Sequence, residues 1–271
     1  MEKNNLTNGS IDIHQLEKYA DDLVKAYKSE KQKRKELEAA NQQLVKFADD
    51  LNKTILELKS ANQELQESYL DTIHRLVLAA EYKDEDTGGH IIRMSRYSAF
   101  IAEMLGLPAR DVENIPYAAP MHDVGKIGIP DKILMKPGKL TDEEFDFMKT
   151  HTTIGAKILA DSKAEILQLA QQIAISHHEK WNGRGYPQGL AGDTIPLAAR
   201  IVGLADVFDA LTSKRPYKDP FPVEVALDII KKECGEHFDP DVVDVFFQNI
   251  DQILKIKDEV DADGDVSLPG L

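Results

Sequence analysis

Leucine recurs every seventh residue through the opening stretch of the chain, at Leu16, Leu23, Leu37, Leu44, Leu51, Leu58 and Leu65, with Glu30 the one break. If the leucines occupy d positions of a heptad, the a positions are Ala20, Tyr27, Arg34, Asn41, Ala48, Ile55, Asn62 and Tyr69. Leucine at d with asparagine at some a sites favours a parallel two-stranded coiled coil, because buried amides pair only in the correct register. A sustained seven-residue period is what a supercoil requires; an amphipathic helix packed on its own domain is the alternative. Segments 37–44 (LEAANQQL) and 58–65 (LKSANQEL) resemble each other, which reflects the heptad period and not a repeat fold. No proline or glycine falls between residues 11 and 87. The helix is therefore predicted to continue with Ile73, Leu76, Val77 and Ala80 as a core face, until Gly88-Gly89 breaks it.

Beyond that break the pattern is helical and strand signals are weak, so the fold class is all-α. Helices are predicted over His90–Leu105, from about Ala109 to near Gly125, over Gly155–Ala160, Ala164–His178, Leu197–Ser213, Pro222–Cys234 and Pro240–Leu254. Thr141 with Glu144 reads as a capping box opening a helix that reaches about Lys149. Gly235 is a natural stop and Asp239-Pro240 a natural start. The predicted organisation is a disordered N-terminus (1–15), a dimerising coiled coil (16–69), a catalytic helical bundle (70–255) and an acidic flexible tail (256–271). In that tail Asp261, Asp263 and Gly264 fit the early positions of a calcium loop, but the twelfth position falls on Gly270 instead of glutamate, which excludes it.

Composition narrows the class. A net charge of −14 over 271 residues leaves no global basic footprint, so DNA is not an expected partner. No apolar run approaches the length of a membrane span, and the first residues lack the apolar core of a signal peptide; a cytoplasmic location is the expectation. The single cysteine, Cys234, excludes an internal disulfide and cysteine-based zinc sites.

The chemistry lies in histidine and aspartate. Five of the eight histidines, His90, His122, His151, His177 and His178, stand in order with Asp86, Asp123 and Asp206. Imidazole and carboxylate are the ligands that borderline-hard divalent metals prefer, and neighbouring ions can cut a phosphodiester. Two adjacent pairs, His122-Asp123 and His177-His178, sit near predicted helix ends where side chains can share a cavity, and a helix bundle builds metal sites from such inward-facing residues. An aspartate inside an apolar helix (LADVFDAL) and the glycine-dense loop HHEKWNGRGYPQGL add to the pattern. His14, His74 and His237 lack such company and read as structural or surface residues.

These stretches resemble one family. DEDTGGH (84–90), HDVGKIGIPD (122–131), HTTIGAKIL (151–159), HHEKWNGRGYPQGL (177–190), IPLAARIVGLADVFDALTSKRPYK (195–218) and HFDPDVV (237–243) are similar to the HD-GYP family of bacterial cyclic-di-GMP phosphodiesterases, a branch of the HD metallohydrolases. The resemblance covers about residues 70–250. It implies that His90, His122, Asp123 and Asp206 are inner metal ligands with Asp123 bridging, and that His151, His177 and His178 ligate the neighbouring position. It implies two or three divalent ions, iron or manganese. Family members with glutamate at the position of Asp86 bind a third ion; the shorter aspartate keeps the charge and favours a trinuclear site.

The resemblance also implies a substrate, cyclic-di-GMP, cut to pGpG and onward to GMP if three metals assemble. Lys126 matches a lysine that contacts the scissile phosphate. Arg215 and Lys218 match cations that meet the nucleotide. In the loop, Gly183 and Gly185 allow positive φ and close backbone approach; Tyr186 could stack on a base or bond a phosphate, Arg184 reads as a further substrate contact or a surface charge, and Trp181 reads as a packing anchor. Asp209 reads as a partner that orients a ligand or Lys126. A catalytically idle nucleotide receptor, or an enzyme for another cyclic dinucleotide, are the competing functions. The expected partners are a second copy through the heptads and an upstream sensor or signalling protein.

Overall fold

A computed structural model of the protein describes residues 13–81, 83, 88–214 and 219–263. Asp86, Arg215 and Lys218, together with residues 1–12 and the end of the chain from 264, lie outside the described residues. Among those described, the secondary structure is helical, with one isolated bridge between Cys234 and Phe238. No described helix is long and apolar enough to cross a membrane. The chain divides into two units, Met1–Leu65 and Gln66–Leu271.

The first unit is helical from Ile13, inside the stretch expected to be disordered, and belongs to helix α1 (Ile13–Glu81). Its heptad leucines are bare: Leu23 is 75% exposed and Leu65 69%. Side-chain pairs one turn apart, such as Gln32 with Glu36 and Lys53 with Glu57, add about 0.2–0.5 kcal/mol each to such a helix.

In the second unit the last turns of α1 bury Leu70, Ile73, Val77 and Ala80, an i, i+3, i+7, i+10 stripe. Leu76, expected on that face, is exposed; it is one step round the helix from Val77. Two central helices, α2 (Gly88–Met104) and α7 (Leu197–Thr212), pack on each other and are buried on most sides. Around them stand α3 (Ala109–Ala118), α4 (Asp131–Leu134), α5 (Asp142–Ile158), α6 (Glu165–Ser176), α8 (Val223–Lys232), α9 (Pro240–Gln248) and α10 (Ile250–Asp263). Tyr97, Phe208 and Phe246, all fully buried, meet edge-to-face through the centre.

Four helices depart from those expected. The helix expected to reach Gly125 stops at Ala118. Pro120 has no N–H to give the Pro116 carbonyl one turn back, and the buried Ser95 hydroxyl donates to that carbonyl instead, at 2.7 Å. The chain tightens into 3-10 turns over Ala119–Met121 and Val124–Gly128, leaving His122-Asp123 between them. The Thr141–Glu144 capping box does form, but its helix, α5, runs on through Gly155 to Ile158. The expected 240–254 helix is two, parted at Asn249. Finally, α10 continues to Asp263, past residue 256 where a flexible tail was expected, because Ile256 and Val260 are buried against the bundle.

Candidate metal centre

The histidines arrive from four places in the fold, His90 on α2, His122 between the two 3-10 turns, His151 on α5 and the His177-His178 pair at the end of α6, and two glycines let these elements close. A Cβ on Gly125 would stand 1.8 Å from the His151 carbonyl oxygen, and one on Gly203 2.7 Å from that of His177. Glycine is thus what permits the 3-10 turn after Asp123 to lie on α5, and α7 to lie on the end of α6. In the loop, Gly183 takes φ +77°, whereas Gly185 serves by close approach alone, its Cα facing the Lys180 amide.

The result is two adjoining groups. Ligand atoms of Asp123, His151, His177 and His178 lie within 4.8 Å of one another, as do those of His90, His122 and Asp206. Asp123 touches both. Its Oδ1 is 3.2 Å from His151 Nε2 and 3.6 Å from His177 Nε2, and its Oδ2 is 3.2 Å from His122 Nε2. Lys126 Nζ reaches the same Oδ2 at 2.7 Å. Seven of the eight metal-ligand candidates are thereby brought together; Asp86 is the one outside the described residues.

The tautomers fit a cation. His122 Nδ1 lies 3.0 Å from the Ala119 carbonyl, His151 Nδ1 2.8 Å from that of Met148, and His177 Nδ1 3.2 Å from those of Ile173 and Ala174. A carbonyl only accepts, so each Nδ1 carries the proton and a neutral ring turns its Nε2 lone pair inward. His151 and His177 bring two such nitrogens to 3.4 Å of each other, a repulsive approach unless positive charge lies beside it. Desolvation pulls His177 and His178 below the ordinary imidazole range, His178 well below, with neighbouring imidazoles adding to the effect. Burial pushes Asp123 up, but Lys126 and His122 outweigh it and hold the carboxyl well below its usual range. Imidazole Nε2 lone pairs turned inward around an ionised carboxylate are what a divalent metal takes. The donor set accordingly suits divalent metal binding.

His90 is oriented differently. Its Nδ1 pairs with Asp209 Oδ2 at 2.8 Å, leaving Nε2 3.8 Å from Asp206. Burial lowers its pKa, but the bond to Asp209 and the two carboxylate charges outweigh this and raise it. Asp209 is in turn gripped by Arg93, Nε to Oδ1 at 2.6 Å and Nη2 to Oδ2 at 3.0 Å, and Arg93 Nη1 reaches Asp261 of α10 at 2.9 Å. Burial alone would raise Asp209; His90 and Arg93 bring it down to about 2. Asp209 therefore orients the candidate ligand His90.

Sequence reasoning missed two residues. Arg93 was hidden as one more helix cation, although its spacing of three from His90 puts both on one face. Glu179, directly after the histidine pair, is buried and accepts from the backbone N–H groups of Gln188 (2.7 Å) and Leu190 (3.0 Å), closing the loop that carries Tyr186. Tyr186 stands over the centre, its ring centroid 4.8 Å from that of His178; burial pushes its hydroxyl up, helped by Asp123 and Asp206, so it remains a donor. Trp181 anchors the loop, stacked under the Arg200 guanidinium at 5.5 Å. Arg184 is exposed. His237 stacks on Phe238.

A helical bundle that gathers imidazoles and carboxylates in this way defines the HD class of metallohydrolase domain. The family model described as "HD domain" matches residues 74–242. The chain belongs to that family, in its HD-GYP branch. A cyclic di-GMP phosphodiesterase of Thermotoga maritima is 47% identical over 185 residues, covering 68% of this chain and 50% of the relative. A 3'3'-cGAMP-specific phosphodiesterase of Vibrio cholerae is 41% identical over 194 residues, covering 72% of this chain and 37% of the relative. The chain thus spans half or less of the length of these relatives. A solved cyclic GMP-AMP specific phosphodiesterase of V. cholerae shares the fold, at 23% identity and a TM-score of 0.50, covering 69% of this chain and 52% of that one.

Proposed function

We propose that the chain is a metal-dependent phosphodiesterase that hydrolyses cyclic-di-GMP to pGpG and, with a third ion, onward to GMP. The observation that carries it is Asp123, whose two oxygens face two separate sets of imidazoles. In this reading His90, His122 and Asp206 would hold one ion, His151, His177 and His178 the other, with Asp123 shared between them and Asp86 serving a third. Iron or manganese there would supply the charge that polarises a phosphoryl oxygen and activates water. Asp123 is kept ionised for that bridge by Lys126, whose ammonium sits beside it and is placed to meet negative charge developing on the scissile phosphate. Tyr186, whose hydroxyl stays protonated, would offer a hydrogen bond to the same phosphate. Gly185 lets the backbone turn close beneath it, and Arg184, Arg215 and Lys218 would meet the rest of the nucleotide.

Elemental analysis of anaerobically purified protein alongside product chromatography tests this. Two or three ions per chain and conversion to pGpG or GMP are expected, and His122→Ala with Asp123→Ala should abolish turnover with helical content intact. Turnover by that double variant would overturn the reading. The 41% identity to a cGAMP-specific enzyme favours a second reading, cyclic GMP-AMP as substrate; rates on the two dinucleotides side by side separate them. Tight nucleotide binding without product would instead make the chain a receptor.

The heptad leucines support a further element, a homodimer through residues 16–69 that passes input from an upstream sensor or signalling protein. Seven bare leucines in one register need a second helix to cover them. A protein lacking residues 1–65 that remained dimeric and equally active would count against it.

A further inference from the structure

Beyond Tyr186 the centre is continued outward by two side chains of α5 that take no part in ligation. The Tyr186 ring lies 6.5 Å from that of His151. One step further out the Phe145 ring stands 6.4 Å from Tyr186 and nearly perpendicular, at 81°. Lys149 Nζ stands over both, 4.9 Å from the Phe145 centroid and 5.9 Å from that of Tyr186. Phe145 is 46% exposed, so the bundle's core does not account for it. The anionic partner of Lys149 is Asp146 at 2.7 Å, itself 72% exposed and so screened by water.

We propose that Phe145, Lys149 and Tyr186 form a second nucleotide subsite, in which Lys149 receives the phosphate that is not being cut and Phe145 stacks on the adjacent purine. The inference rests on a cyclic dinucleotide being the substrate. Such a ring carries two phosphates, and when one sits at the imidazole–carboxylate centre the other faces outward. A chain of net charge −14 offers that second phosphate no general attraction, so local cations must receive it, and Lys149 is one in addition to Arg184, Arg215 and Lys218. Lys149, its side chain 33% exposed, stands over the faces of both rings, so an anion arriving from solvent can reach its ammonium beside two apolar surfaces. A half-exposed phenyl ring beside it offers a face to a base, and every base has a π-face to stack on it.

Initial rates on cyclic-di-GMP, on cyclic GMP-AMP and on bis(p-nitrophenyl) phosphate, a diester with one phosphate and no purine, test the subsite. For Lys149→Met and Phe145→Leu, kcat/KM on the cyclic dinucleotide should fall about tenfold relative to that on the small diester, a loss typical of a removed base stack or charge contact. The fall should lie in KM, and Lys149→Arg should restore it. Equal losses on all substrates would mean that α5 merely supports His151, and no loss on any would mean that the rings and the ammonium touch nothing; either overturns the subsite alone. A wild-type protein that cleaves the small diester and neither cyclic dinucleotide refutes the substrate reading and the subsite with it.

Discussion

Arg93→Met removes a guanidinium and leaves a buried carboxylate behind. Asp209 is 1% exposed and Arg93 6%. In the native protein Asp209 accepts two hydrogen bonds from Arg93 and one contact from His90 Nδ1, at 2.6, 3.0 and 2.8 Å. Methionine fills the stem's volume but cannot donate, so the carboxylate keeps only the imidazole. Removing one partner of a buried ion pair costs about 3–5 kcal/mol. Adding Asp209→Asn should recover part of that loss, since no uncompensated charge then remains, and the double-mutant cycle should give a coupling of about 1–3 kcal/mol. Trp181 is the chain's one tryptophan and lies in the bundle, so its fluorescence during urea unfolding reports on the bundle separately from the heptad unit. A second readout is metal affinity. Loss of the group that orients a ligand histidine weakens binding about 10- to 100-fold, and titration of the folded variant with manganese measures it. A stability change under about 1 kcal/mol, with manganese affinity unmoved, would refute the argument that Arg93 holds His90 through Asp209.

Three further outcomes are expected. Gly203→Ala places a methyl group 2.7 Å from the His177 carbonyl oxygen, so α6 and α7 must part at about 1–3 kcal/mol; wild-type stability and metal content would show that the helices can shift freely. Glu179→Ala deprives the Gln188 and Leu190 amides of their acceptor, at about 1–3 kcal/mol, and should speed proteolytic cleavage within 183–190; unaltered resistance would mean that the loop is held by other contacts. Stripping divalent ions with a chelator should lower the bundle's unfolding free energy, by about 4 kcal/mol if the ion had been present at a thousand times its Kd; an unmoved midpoint would show that the cluster holds no ion.

Much of the centre was legible in the sequence because adjacent pairs and glycines carry local information. His122-Asp123 and His177-His178 each fix two donors at once, and the capping signal at Thr141 needs only four residues to be read. What stayed hidden depends on partners distant in sequence. Arg93 acquires its meaning from Asp209 and Asp261, 116 and 168 residues away. The end of α3 was misplaced because apolar periodicity continues past Pro120, while the decisive fact is a proline with no hydrogen to give and a serine on another helix that substitutes for it. Likewise the acidic composition of 256–263 suggests a solvated tail, yet two apolar residues at a spacing of four, Ile256 and Val260, are enough to seat the last turns.

The imidazoles of His122, His151 and His177 are tethered through Nδ1 to carbonyls of their own backbone segments. Rings fastened in this way have little freedom to lean toward a small cation or retreat from a large one. Ionic radius is therefore gauged by how far the helices stand apart, a spacing limited by the two glycine contacts, and discrimination among metals becomes a property of the scaffold's rigidity more than of the ligand types themselves.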